Sequence, residues 1–189
     1  ARGGGGEARG REGTAAPPAG AGAVPGPGEA PPRPLPARPA VPGGDASLLV
    51  GSAVHGVPVT VHAAIGAEII HQHPSADGAA LGEPSPRDFR RLAGALPDLH
   101  DGGVVLNLGS AVVMPEVFLK ALTIARNLSA GRPADFTAVD CDMQRHYRPR
   151  VNVVERPTLA GGRGVQLTGH HEILLPLLCW AVLDRLDAA

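Results

Sequence analysis

The sequence predicts an α/β domain in which helices flank a small parallel β-sheet. Two observations lead to this prediction. Short apolar stretches rich in β-branched residues alternate along the chain with stretches whose apolar residues recur at helical spacing. Residues 103–108 are almost continuously apolar, which is typical of a strand covered on both faces of a parallel sheet. Alternation of this kind implies right-handed crossover connections between parallel strands.

The first half of the domain is expected to contain a helix, a strand and a second helix. Asp45 can cap a short helix that ends before Gly56. Residues 57–61, Val-Pro-Val-Thr-Val, alternate with β-branched side chains and predict a strand. Ser85, followed by Pro86 and an early acidic residue, predicts the start of the second helix.

The second half is expected to contain two more strands and two more helices. After the strand at 103–108, a helix is predicted from near Pro115 to Gly131, and residues 136–139 predict a further strand. A loop and a last amphipathic helix, 174–186, complete the chain. Three strands make a small sheet, so we expect a Rossmann-like fold that is closer to half of a doubly wound sheet than to a whole one.

Composition separates the start of the chain from this domain. Residues 1–44 consist mainly of Gly, Ala, Pro, Arg and Glu, with almost no large apolar side chain. Such a segment buries too little surface to offset the entropy lost on ordering. We therefore predict a disordered tail over residues 1–44 and a folded domain over residues 45–189.

Charge and cysteine usage narrow the partners and the compartment. A net charge of -1 gives no general attraction to nucleic acid or to an anionic membrane. The chain has no uninterrupted apolar run of the roughly 20 residues that span a bilayer. Cys141 and Cys179 form no paired motif, so we expect free thiols in a reducing, cytoplasmic setting. A small molecule is the expected partner.

Polar residues cluster where the predicted strands end. Ligands of open parallel sheets bind beyond the carboxyl ends of the strands. The residues found there are Gly66, His71 and His73 near the first predicted strand, Asn107, Gly109 and Ser110 at the second, and Asp140 and Asp142 at the third. We expect this edge of the sheet to form the ligand site.

Gly109 and Ser110 lie between a strand and the start of a helix. A glycine there lets a ligand approach the backbone, and the free N–H groups of a helix start suit a phosphate group. The sequence lacks a GxGxxG motif, however, and a tight strand-to-helix turn without a ligand explains the same residues.

Two histidine clusters leave several interpretations open. His71 and His73 form an HxH pair, and His170, His171 and Glu172 are consecutive. With acidic residues of the strand ends they could ligate a divalent metal, although the spacing matches no standard zinc pattern. Polar groups that face an organic ligand, or residues that cap a helix, are the alternatives, and Glu172 is also an ordinary acid of a first helical turn.

Four short motifs occur in an order and spacing that match one known family. They are Gly56–Val59 followed by Ala64–Glu68, Gly103–Val112, Ala134–Val139 and Gly169–Ile173. On these motifs the chain resembles the deoxyhypusine synthase family, specifically its bacterial deoxyhypusine synthase-like members. The resemblance covers only the C-terminal portion of that family's fold.

The resemblance implies an NAD-binding protein that acts on an amine-containing small molecule and self-associates. It implies cofactor contacts from Gly66, Asn107, Gly109 and Ser110, and a substrate or nicotinamide pocket lined by His71, His73, Asp140 and Asp142. It also implies acid, base or amine-recognition roles for His170, His171 and Glu172. His170 and His171 stand where the family has its imine-forming lysine.

Two hypotheses from other classes remain beside this one. The first is a truncated, catalytically silent domain that acts by association through an exposed edge strand. The second is a metal-dependent hydrolase that uses the His and Asp clusters.

Overall fold

Three parallel strands form one sheet, in the spatial order β1–β2–β3. In this computed structural model, which describes residues 42–188, β1 is Gly103–Leu108, β2 is Phe136–Asp142 and β3 is Arg163–Thr168. Helices flank the sheet, and the predicted α/β fold with a Rossmann-like parallel sheet is confirmed. Nearly all of the predicted tail, residues 1–44, lies outside the described residues.

Seven α-helical segments occur in the described part of the chain. In chain order they are α1 (Leu48–His55), α2 (Gly78–Gly82), α3 (Pro84–Ala95), α4 (Val113–Leu128), α5 (Tyr147–Pro149), α6 (Arg156–Thr158) and α7 (His171–Asp187). A π-helix, Arg150–Glu155, joins α5 to α6, and 3₁₀ turns cover Gly44–Ala46, Ile69–Gln72 and Leu96–Leu99.

The core lies on one face of the sheet. Phe136 and Ala138 of β2 point to this face and are almost fully buried. They join a single cluster with residues of α3, α4 and the π-helix. The rings of Phe118 and Phe136 meet edge to face, with centroids 6.3 Å apart. Thus α3, α4 and the π-helix all cover the same face.

Close approach of the π-helix to β3 explains one glycine. A Cβ on Gly164 would lie 2.6 Å from Val154 Cγ1 and 2.7 Å from the Val154 carbonyl oxygen. Real Cβ atoms do not approach other heavy atoms so closely, so a side chain at this position would push the π-helix away from the sheet.

The prediction of a strand over residues 57–61 is wrong for this structure. The segment has no regular secondary structure and belongs to no ladder. The third strand of the sheet is β3, whose residues were expected to form a loop. Pro58 has no N–H to donate, and residues 57–59 are exposed, so β propensity alone does not pair this segment.

Several predicted boundaries also shift. The N-cap residue of α1 is Ser47, whose side chain accepts the Val50 N–H, and not the predicted Asp45, which lies within the preceding 3₁₀ turn. Residues 147–158 are helical where a loop was expected, and α7 starts at His171 instead of 174, with Pro176 inside it. The many arginines and prolines of residues 147–158 hide the helical pattern of this segment in the sequence. Its buried apolar residues are the valines of the π-helix.

Candidate functional site at the carboxyl ends of the strands

The ends of β1 and β2 lie side by side because the two strands are paired in parallel as far as Leu108 and Cys141. The Gly109 N–H donates to the Cys141 carbonyl oxygen at 3.0 Å and so extends the ladder one residue beyond β1. Gly109 then turns the chain with a φ of 71°, a left-handed conformation that glycine adopts most readily.

A buried polar pair lies directly before this turn. Asn107 and Asp140 are partners in the β1–β2 register and are 6% and 3% exposed. Asn107 Nδ2 donates to Asp140 Oδ1 at 2.8 Å and to the Ser110 carbonyl oxygen at 3.0 Å. Among the described residues, no Lys, Arg or His nitrogen forms an ion pair with Asp140. The Asp140 carboxylate is therefore buried beside a neutral amide and without a cation.

Gln166 extends this row across the third strand. It is the register partner of Asp140 in β3, so Asn107, Asp140 and Gln166 lie in line on the same face of the sheet. Its Nε2 is buried and has no hydrogen-bond partner among residues 42–188. A buried amide of this kind ordinarily has a partner. Gln166 is not among the sequence-predicted site residues, because β3 was not predicted as a strand.

The Ser110 side chain is hydrogen-bonded to the first turn of the helix that follows. Its Oγ accepts from the Met114 N–H at 3.2 Å, and Pro115, the third residue of α4, has no N–H. Two of the first three helical positions therefore have no free N–H for an anion. Since the Gly109 N–H already donates to the Cys141 carbonyl oxygen, the Val113 N–H is the helical group that remains for a phosphate at this helix start.

His171, the first residue of α7, reaches the same edge from above β3. Its Nε2 lies 2.9 Å from the Cys141 carbonyl oxygen. A carbonyl only accepts, so Nε2 carries the proton, and the neutral ring has its lone pair on Nδ1. A Cβ on Gly109 would lie 3.0 Å from His171 Cε1, so the glycine also makes room for this ring.

Cys141 lies between these groups and is buried. Burial, and secondarily the neighbouring Asp140 charge, raises the pKa of the Cys141 thiol. The thiol therefore stays protonated and is a poor nucleophile. Its backbone carbonyl, which accepts from both Gly109 and His171, is the functional part of this residue.

Asp142 ends β2 and shapes the loop that follows. Its Oδ1 accepts the Gln144 N–H at 3.2 Å, and its carbonyl oxygen accepts the Gly169 N–H at 3.1 Å. The same loop is tied to the end of β3, since Arg145 Nε donates to Thr168 Oγ1 at 3.2 Å. Asp142 is thus held at the edge with its carboxylate half-buried.

The other two residues of the second histidine cluster face outward. His170 precedes α7 and is exposed, and its carbonyl oxygen accepts the N–H groups of Ile173 and Leu174. Glu172 lies exposed in the first turn of α7. Of the three clustered residues, only His171 is hydrogen-bonded into the strand ends.

Gly66, His71 and His73 lie in the irregular segment after residues 57–61, and their hydrogen bonds are local. The Gly66 N–H donates to His71 Nδ1 at 3.2 Å, and His73 Nδ1 contacts Ser75 Oγ at 2.7 Å. His71 Nε2 is buried and has no hydrogen-bond partner among the described residues. No contact joins these side chains to Asp140 or Gly109 in this structure.

His62 belongs to the same segment. Its Nε2 lies 3.0 Å from Thr60 Oγ1. Burial lowers the pKa of His62, and the opposing charge of Asp88 offsets part of that effect.

Glu116 is a functional candidate that was not predicted from the sequence. It follows the buried Pro115 in the first turn of α4 and contacts Lys120 Nζ at 2.7 Å, Arg148 Nε at 3.3 Å and Asn152 Nδ2 at 2.9 Å. The hydrogen bond from Lys120 is the largest of the effects that lower the pKa of Glu116. Only the Glu–Lys spacing of four was visible in the sequence.

Residues 42–188 contain no group of three or more His, Cys, Asp or Glu side chains that could hold a metal ion. The hydrolase hypothesis thus has no ligand set in the described part of the chain. The same part has no helix that combines the length and the apolar character of a membrane span.

Comparison of the chain with protein-family models, curated proteins and solved structures finds no match.

Proposed function

We propose that this chain binds NAD at the carboxyl ends of β1 and β2 and acts on an amine-containing small molecule. The observation that carries the proposal is Asp140, a carboxylate that is 3% exposed, lacks a cationic partner among the described residues and lies beside the Gly109 turn. A buried charge ordinarily has a partner, and a substrate ammonium would supply one.

The turn and the two neighbouring strands support NAD as the cofactor. Gly109 is exposed at the turn, and the Val113 N–H at the start of α4 would be available to a pyrophosphate there. Asp142 ends β2, the strand next to β1. In dinucleotide-binding sheets an acidic residue at this place accepts hydrogen bonds from the ribose hydroxyls. The Gly109 turn is held by Asn107 Nδ2, which donates to the Ser110 carbonyl oxygen.

The groups around Cys141 suit proton removal from an amine. When bound, NAD would supply a hydride acceptor. In the neutral form of its ring, His171 would present a lone pair at Nδ1, because Nε2 donates to the Cys141 carbonyl oxygen. It would take a proton from the substrate ammonium, and Asp140 would hold the nitrogen in place. The carbon next to that nitrogen can then release a hydride, which leaves an iminium product.

Titration calorimetry of the full chain with NAD tests the cofactor part of the proposal. We expect binding by the wild type and loss of binding by Gly109→Val, because its side chain would occupy both the ligand's approach and the space of the His171 ring. Gly131→Val is the matched control, because Gly131 also has a positive φ of 85° but has open space where a side chain would lie. Gly131 precedes β2 and so lies toward the amino ends of the strands, away from the proposed site. Absence of binding by the wild type at millimolar NAD would overturn the proposal.

A second measurement tests the amine. The absorbance of reduced NAD is followed while aliphatic diamines and polyamines are added to the chain with NAD. We expect Asp140→Asn to bind NAD as the wild type does and to lose turnover, because the amide keeps the shape of the carboxylate without its charge. Equal turnover by the variant would show that Asp140 does not hold the substrate.

A further inference from the structure

Within residues 42–188, no strand pairs with the outer edge of β1, which is the terminal strand in the order β1–β2–β3. Its Val104, Leu106 and Leu108 side chains are exposed on the face opposite to the core. A cleft of about 380 Å³ runs along this edge. It is apolar and is lined mainly by β1 itself, by Leu92 and Leu96 from α3 and its end, and by Met114 and Phe118 of α4.

Backbone groups of β1 point into the open side. The Gly109 N–H points toward β2, where it meets the Cys141 carbonyl. Because successive residues of a strand point to opposite sides, the N–H groups of Leu108, Leu106 and Val104 point away from β2. An edge of this kind is a template for another strand.

The direction of the crossovers indicates where that strand comes from. The connections β1–α4–β2 and β2–π-helix–β3 run over one face and advance the sheet in one direction. α3 packs on the same face and leads into β1. A right-handed crossover through α3 therefore requires the preceding strand to lie on the open side of β1.

Residues 57–61 have the character and the position of this preceding strand. They alternate with exposed β-branched side chains at Val57, Val59 and Val61, and they come before α3 in the chain. Pro58 suits a strand at the edge of a sheet, where its missing N–H faces outward. With Pro58 outward, the N–H groups of Val57, Val59 and Val61 face β1.

A tether already holds the segment beside the cleft. The Val61 N–H donates to Asp88 Oδ2 at 2.9 Å, early in α3. Leu92, which lines the cleft, lies one helical turn further along the same side of α3. Since α3 runs back toward the start of β1, Asp88 lies toward the carboxyl ends of the strands, and Val61 is held there.

We propose that residues 57–61 dock on β1 of the same chain as a fourth parallel strand. On docking, the Val61 N–H leaves the Asp88 carboxylate and donates to a carbonyl oxygen of β1 instead. Valine side chains then fill the apolar cleft. Pro58 blunts the new edge against pairing with another chain. Docking also brings the residues after the strand toward the carboxyl ends of the strands, including His71, whose Nε2 has no hydrogen-bond partner within residues 42–188.

Amide hydrogen exchange of the full chain without NAD, resolved by NMR to Val104, Leu106 and Leu108, tests this inference. We expect these amides to exchange at least about tenfold more slowly than exposed amides, and Val59→Pro to abolish the protection because it removes an inward N–H. Thr60→Pro is the matched control: its N–H faces outward like that of Pro58, so protection should remain.

Two outcomes would overturn the inference. One is rapid exchange of the three amides in the wild type, unchanged by Val59→Pro. The other is protection that depends on protein concentration and accompanies a dimer in light scattering, since the occupant would then be a second copy. NAD takes no part in this measurement, so its result is independent of the proposed cofactor site.

Discussion

Replacement of Asn107 by alanine tests whether the buried polar pair organises the candidate site. The substitution removes the only Nδ2 donor that reaches both Asp140 Oδ1 and the Ser110 carbonyl oxygen. Asp140 is 3% exposed, so water does not readily replace the lost donor. The variant therefore leaves a carboxylate both buried and without this hydrogen bond.

The magnitude follows from the two bonds that are lost. A hydrogen bond to a charged group contributes about 1.5–3 kcal/mol and a neutral one about 1 kcal/mol. Together they predict a loss of about 2.5–4 kcal/mol in the free energy of unfolding. For a domain of this size the melting temperature should fall by roughly 2–4 °C for each kcal/mol.

Urea denaturation followed by circular dichroism measures this loss. Asn127→Ala is the matched control, because Asn127 is an exposed asparagine of α4, and it should change stability by less than about 0.5 kcal/mol. In a double-mutant cycle, Asn107→Ala with Asp140→Ala should cost about 1–2 kcal/mol less than the sum of the single changes. If Asn107→Ala were as mild as the control, the pair would have no organising role.

Three further predictions concern packing, thiol reactivity and pH. Gly164→Ala should lower the free energy of unfolding by about 1–3 kcal/mol, because the added Cβ would press on the π-helix. Gly51→Ala is the control in the same denaturation assay: Gly51 lies in α1 with open space around it, so this change should be neutral or stabilising. A thiol reagent at about pH 8 should give one adduct by mass spectrometry, at the exposed Cys179, and modification of Cys141 at the same rate would contradict its raised pKa. The pKa of His62 is lower in the folded state than in the unfolded state, so His62 stabilises the folded state at a pH above its unfolded pKa. This stabilisation is lost as the pH falls through the unfolded pKa toward the folded pKa. The free energy of unfolding should therefore fall less between about pH 7 and about pH 5 in His62→Gln than in the wild type.

The sequence predicted those elements whose residues carry a local signal. The apolar run 103–108 and the Phe136 strand are both strands, because each contains large or β-branched side chains that the core can cover. The turn at Gly109 and the acids at the end of β2 then follow from parallel pairing. Local patterns together with the rule that ligands bind beyond the carboxyl ends of parallel strands therefore indicated Asn107, Gly109, Asp140 and Asp142.

Other parts depend on tertiary contacts that a single sequence does not display. β3 begins Arg-Gly and is a strand through its ladder with β2, and Gly164 leaves the space that Val154 occupies. Gln166 became a candidate only through its register with Asp140. Glu116 became one only through its contacts with Lys120, Arg148 and Asn152. Residues 57–61 show the reverse case, in which strand propensity is strong but no ladder holds the segment in this structure.

Hydrogen exchange with and without NAD, resolved to single amides, tests the central claim most directly. We expect slower exchange in the presence of NAD at Gly109, Val113 and the residues that follow Asp142, with no change in α1. Protection elsewhere, or none at millimolar NAD, would contradict a cofactor site at the carboxyl ends of β1 and β2.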